Sequence, residues 1–142
     1  MLSFRRSKLG FTLIELMVVV AIIGVLALLG LRLYTGQQQK AKNAIVKANA
    51  GTIQTLIQAE LADTTSADVN DMVDDDTTTG LFTKSGIHVP DGGAQTANGT
   101  TGIGEVVVFY DDSTPGSEFF EINGNAFPSG DVYVDTPLTA RK

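Results

Sequence analysis

The chain has no cysteine and no tryptophan, and its only histidine is His88. Without cysteine there are no disulfides, no thiolate metal sites and no cysteine nucleophile. With a single histidine there is no second imidazole to complete a metal site, which leaves His88 a structural or surface role. Basic residues are also scarce where a globular domain would lie: between Gly51 and Ala140 the only one is Lys84. Formal net charge is −6 and the sequence pI is about 4.5. That excludes nucleic-acid binding driven by phosphate neutralisation. No serine sits in a nucleophile elbow, and GGAQTANGTTG does not join a strand to a helix as a phosphate cradle must. No enzyme chemistry is expected.

What is present is concentrated at the start. Arg5, Arg6 and Lys8 precede Gly10, and residues 11–31, FTLIELMVVVAIIGVLALLGL, are apolar apart from Glu15 and Thr12. As a helix this run would rise about 31 Å, close to the hydrocarbon thickness of a bilayer. It is longer than the core of a secretory signal, and no small-residue cleavage site follows it. The leading bases hold the N-terminus in the cytoplasm, although Arg32, Lys40, Lys42 and Lys47 follow on the exported side. A carboxylate inside such a run costs about 2.5–3.5 kcal/mol at mid-membrane. Glu15 lies nearer the cytoplasmic face, so on its own it is either a snorkelling anchor residue or a functional group.

Lys8 to Gly24, KLGFTLIELMVVVAIIG, resembles the N-terminus of type IV pilins and of the related pseudopilins of type II secretion. The likeness covers the basic leader (Arg5, Arg6, Lys8), Gly10, Phe11 and Glu15, over roughly residues 5–30. It implies a leader of residues 1–10 removed by a prepilin peptidase between Gly10 and Phe11, and methylation of the new Phe11 amine. Glu15 would pair with the Phe11 ammonium of a neighbouring subunit. The implied partners are further copies of the chain in a helical filament, the peptidase, an inner-membrane platform protein and an assembly ATPase. The implied location is the inner membrane before assembly and an extracellular pilus after it, or a periplasmic pseudopilus in the alternative reading. Type IV pilins usually have a proline near the position of Arg32. This chain has Gly24 and Gly30, which weaken a helix by about 1 kcal/mol each relative to alanine.

Residues 11–62 read as one helix, about 78 Å long. Beyond the apolar run, Val46, Ala50, Ile53, Ile57 and Leu61 form one row. Ala41, Ile45, Ala48, Thr52, Leu56 and Ala59 form an adjacent one, with Lys40, Lys47, Gln54 and Gln58 opposite. An arc this wide suits a helix covered on one side by a head domain and on the other by further helices.

Residues 63–142 form the expected head. The acidic stretch 63–80 reads as a loop with a short helix at 67–73, and the run Asp74–Asp76 as a solvated face. Strands are expected at 86–90, 103–110, 117–123 and 131–135, meandering antiparallel and packed on the helix. The fold class is α+β. Phe82, Phe109, Tyr110, Phe119, Phe120, Phe127 and Tyr133 are expected in its core. Asp111, Asp112, Glu118, Asp131 and Asp135 flank strand ends and are the candidates for calcium ligands, a site the resemblance associates with major pseudopilins. Their spacing matches no ligand pattern, and no cofactor is expected. Asn98-Gly99-Thr100 has the form of a glycosylation sequon.

Overall fold

The computed structural model describes residues 10–99, 102–114, 116–133 and 136–142. The chain divides after Gln37 into two units. The first is the apolar part of helix α1 (Leu13–Asp63). Its helix runs through Gly24 and Gly30 without a break, and its side chains are exposed all round. It is long and apolar enough to cross a membrane.

The second unit holds the rest of α1 and the head. α1 ends where Thr64 N–H still reaches Glu60 O (2.9 Å) and Thr65 begins a new helix. Thr65 is the N-cap of α2 (Ser66–Asp74). Its hydroxyl accepts from Asp68 N–H, while the Asp68 carboxylate accepts from Thr65 N–H, a reciprocal cap that fixes the turn between the two helices. A five-residue helix follows, α3 (Leu81–Ser85), closed by Gly86 at φ 64°. That left-handed geometry suits glycine because a side chain there would be strained.

The sheet is antiparallel in the order β1 (Val106–Asp111), β2 (Phe119–Gly124), β3 (Leu138–Arg141). Val108 pairs with Ile122, and Ile122 with Leu138. One face carries Val106, Val108, Phe120, Ile122 and Ala140 onto Ala50, Ile53, Ile57 and Leu61 of α1. Val69, Val73, Leu81 and Phe82 close that core from the α2–α3 side. A smaller cluster joins Val46 to Ala126 and Val132. Gly124 sits against Val46, and a Cβ there would run into its side chain. The glycine is what lets the sheet approach the helix this closely.

The α+β class is as the sequence implied, and the two apolar rows of α1 separate as expected. Val46, Ala50, Ile53, Ile57 and Leu61 are buried. Ala41, Ile45, Ala48, Thr52 and Ala59 are exposed, with Leu56 half-buried. Several details differ, among them helix α3, which lies where no helix is expected. Residues 86–90 form no strand, only a bridge from His88 to Ala94. Over 131–135, Asp131 bridges Asn125 and no strand forms at Val132 or Tyr133; residues 134–135 lie outside the described part. The last strand is Leu138–Arg141 instead. Phe109 is 61% exposed on the outer face of the sheet rather than in the core.

Phe109 follows buried Val108, so the alternation of the strand puts it on the outer face; elsewhere side-chain amides take over backbone pairing. The Asn123 amide accepts from Tyr133 N–H and donates to Tyr133 O, which holds residues 131–133 as a loop beside β2. Gln95 does the same for Val106 and Asn98 for Val108, covering the outer edge of β1. Asn43 does it for Phe127. Gln54 and Gln58, on the expected polar face of α1, donate to Thr139 O and Arg141 O along β3. Two amides thus cap each edge of the sheet, the usual route to unwanted strand pairing. Replacing Asn98 with alanine would leave the N–H and C=O of Val108 unpaired in a half-buried setting, at about 1–3 kcal/mol. The expected result is a lower denaturation midpoint with earlier aggregation, read by chemical unfolding and light scattering; Asn98→Gln is not expected to restore the geometry.

Candidate functional site: the start of the long helix

Gly10 lies outside the helix and is exposed, with open space where a side chain would project. Phe11 is 92% exposed. Thr12 is the residue before the first helical turn. The Glu15 carboxylate accepts from Thr12 N–H (2.8 Å) and from the Thr12 hydroxyl (2.8 Å), and the same hydroxyl accepts from Glu15 N–H (3.3 Å). This is a capping box, Thr-x-x-Glu, which satisfies orphan donors of the first turn. It also places a negative charge at the positive end of the helix dipole.

Glu15 is therefore not idle in the single chain. Its Oε2 is held by neutral donors, and the only ion pair among the described residues is Lys42 to Asp91 (2.6 Å). No cation lies beside the carboxylate among those residues, and it borders a shallow groove lined by Phe11, Ile14, Val18 and Val19. Thr12 escaped the sequence reading, although T-L-I-E has the capping-box spacing and the motif could have been found there. The leader bases Arg5, Arg6 and Lys8 lie outside the described residues.

The calcium candidates do not converge. Asp111 ends β1 and turns back to accept from Ser113 N–H (2.9 Å). Asp131 bridges Asn125, next to Gly124, which pairs with Val106 at the other end of the strand. The two ends are roughly 17 Å apart along β1. Asp112 lies with Asp111, and Asp135 is outside the described residues. Glu118 accepts from Gly116 N–H in the β1–β2 turn. Among the described residues, no group of three or more histidine or acidic side chains is placed to hold a metal. His88 is exposed, with Nδ1 against Gly86 O, and its carbonyl accepts from Asn49. Asn98 of the sequon is spent on the β1 edge.

The acidic run does more than face water. Asp75 accepts from the hydroxyls of Thr79 and Thr77 and from Thr77 N–H, which folds 75–80 into a tight loop. Those donors, the Thr79 hydroxyl first, hold its carboxyl below the ordinary aspartate value. The Thr65 hydroxyl does the same for Asp68. A lowered folded-state pKa stabilises the fold fully above the unfolded value, and that contribution is lost as pH falls through the folded value. Head stability is therefore expected to decline from about pH 4 downward. Thermal unfolding of the purified chain in detergent, followed from pH 7 to pH 3, checks this. Asp75→Asn should melt earlier at pH 7 and lose less on acidification.

Residues 5–31 match the family described as the prokaryotic N-terminal methylation motif. The chain carries that motif, which defines the class of its N-terminal segment. Among characterised proteins it is similar to the fimbrial protein EcpB of Eikenella corrodens, 47% identical over 53 residues, covering 37% of this chain and 33% of that protein. It is also similar to the type IV major fimbrial protein FimA of Dichelobacter nodosus, 39% identical over 64 residues, covering 45% of this chain and 40% of that protein. The chain thus spans less than half the length of these relatives. No solved structure matches it.

Proposed function

We propose that this chain is a structural subunit of a type IV pilus, without catalytic activity of its own. A prepilin peptidase cuts between Gly10 and Phe11 and methylates the new amine. The subunit waits in the inner membrane with its N-terminus in the cytoplasm, then enters an extracellular filament through α1, served by a platform protein and an assembly ATPase. The observation that carries this reading is the methylation motif over residues 5–31, which runs into a helix from Leu13 whose apolar part is uncovered on every side. A surface that apolar needs lipid or other copies of itself around it. Fimbrial relatives favour a pilus over a secretion pseudopilus.

Within this reading, Glu15 gives up neutral donors for a cation. When a subunit docks, the Phe11 ammonium of a neighbour reaches a carboxylate already oriented by Thr12. N-methylation preserves that positive charge. The test is the intact mass and N-terminal sequence of the protein in material sheared from cells. A chain beginning at methylated Phe11 is expected. The same chain found only in the envelope would favour a pseudopilus, and one still starting at Met1 would end the pilin reading.

A further inference from the structure

The head is electrically polarised along α1. At the Asp63 end, α1 and α2 carry Asp63, Asp68, Asp71 and Asp74, and Asp76 follows just beyond α2, all exposed. The β1–β2 turn lies at this end too, because Asp111 pairs with Phe119 and Phe119 with Arg141. Arg141 and Lys142 in turn reach Gln58 and Thr64 of α1. That turn adds Asp111, Asp112 and Glu118. The bases of this end are fewer and already engaged: Lys142 donates to Thr64 O and Arg141 lies over the Phe119 ring. Lys84 sits in the same acidic hollow as Asp71 and Asp75.

The opposite end, toward Gln38, is where α1 carries Lys40, Lys42 and Lys47. Lys42 is matched within the chain by Asp91. Glu105 and the exposed Asp131 also lie toward this end, beside Asn125. The end is therefore mixed in charge, and Lys40 and Lys47 are its outward bases. Lys40 and Lys47 are exposed, and Lys47 lies over the ring of Tyr133. Between the two ends runs the uncovered α1 face of Ala41, Ile45, Ala48, Thr52 and Ala59. Lys40 and Asp63 are separated by about 35 Å of helix rise, too far for the two charge groups to meet within one copy.

We infer that the acidic Asp63 end of one head docks against the Lys40–Lys47 collar of a second copy, so that opposite charges set the axial register between subunits. This rests on the filament-subunit reading above. Parallel copies of an acidic head repel unless unlike ends are brought together, and a head-to-tail contact of this kind repeats without closing. The charges contribute register and selectivity more than strength, because exposed pairs are individually weak and screened by salt.

The test uses the full chain in cells. Lys40→Glu with Lys47→Glu should lower sheared filament about tenfold, while the amount of chain in the membrane stays that of the wild type. Adding Asp71→Lys and Asp76→Lys to the same chain should restore part of it, since the Asp63 end then faces the new acids with four units less negative charge. Lys40→Glu alone, at a side chain that makes no hydrogen bond among the described residues, should show a smaller loss of the same kind. Filaments at wild-type yield from the double variant would overturn the charge register and leave the pilin reading standing. A loss that the swap fails to rescue would also overturn it, provided wild-type filaments still begin at Phe11. If the wild-type chain forms no filament and keeps Met1, both readings fall together.

Discussion

Replacing Glu15 with glutamine is expected to leave the helix start intact and to stop filament assembly. The observed cap and the proposed intersubunit pair separate in this substitution. The capping box needs an oxygen that accepts from Thr12 N–H and the Thr12 hydroxyl, and glutamine supplies one. Pairing with an incoming ammonium needs the negative charge, which glutamine lacks. Losing one partner of a desolvated ion pair costs about 3–5 kcal/mol, or two to four orders of magnitude in each docking equilibrium. The proposed cleavage at Gly10 would act on the membrane-held monomer and should continue. The measurement is sheared filament yield beside the N-terminal sequence of the chain retained in the membrane. Glu15→Val removes both roles and should fall at least as far. If Glu15→Gln assembles at the wild-type level while Glu15→Val does not, Glu15 acts through helix capping and the intersubunit pair is wrong.

That distinction arises only in three dimensions, although each residue in it is visible in the sequence. Glu15 stands out because an acid in an apolar run is costly and demands a reason, whereas Gly10 and Phe11 are singled out only by the resemblance of residues 8–24 to pilin N-termini. The long helix is legible for a similar cause: its two apolar rows repeat at helical steps over many turns, and local pattern agrees with burial. Helix α2 and strands β1 and β2 follow from Thr65 with Asp68 and from VVVFY and FFEIN. Helix α3 and strand β3 do not. LFTKS is too short to show a period, and LTAR has few strand-forming side chains. They take their shape from distant partners: Gln54 and Gln58 along one edge, the core beneath Leu81 and Phe82. DVYVD fails for the converse reason. Its alternation is that of a strand, but the Asn123 amide and Gly124 O hold its first residues in a loop. An amide reaching across the fold leaves no local periodicity for a sequence to display.

Phe82 shows how much stability rests on one of those illegible elements. A helix of five residues cannot stand alone, since nucleating a first turn is unfavourable. α3 persists because Leu81 and Phe82 are buried against α1, α2 and the sheet, Phe82 completely. Truncating it to alanine removes the ring's burial and leaves a cavity that close-packed neighbours fill only in part, at about 3–5 kcal/mol. Domains of this kind have about 5–15 kcal/mol in all, so Phe82→Ala should take away a large share. The denaturant midpoint of the purified chain should fall with the slope unchanged, as expected when stability changes and the unfolded state does not. Phe109→Ala is the matched control, an aromatic of the same size on the outer face of β1, and should shift stability by no more than about 0.5 kcal/mol. Equal effects at the two positions would mean that α3 is not part of the core. A large effect at Phe82 alone would tie the acidic loop of residues 75–80, and with it the charged end of the head, to the same cooperative unit as α1.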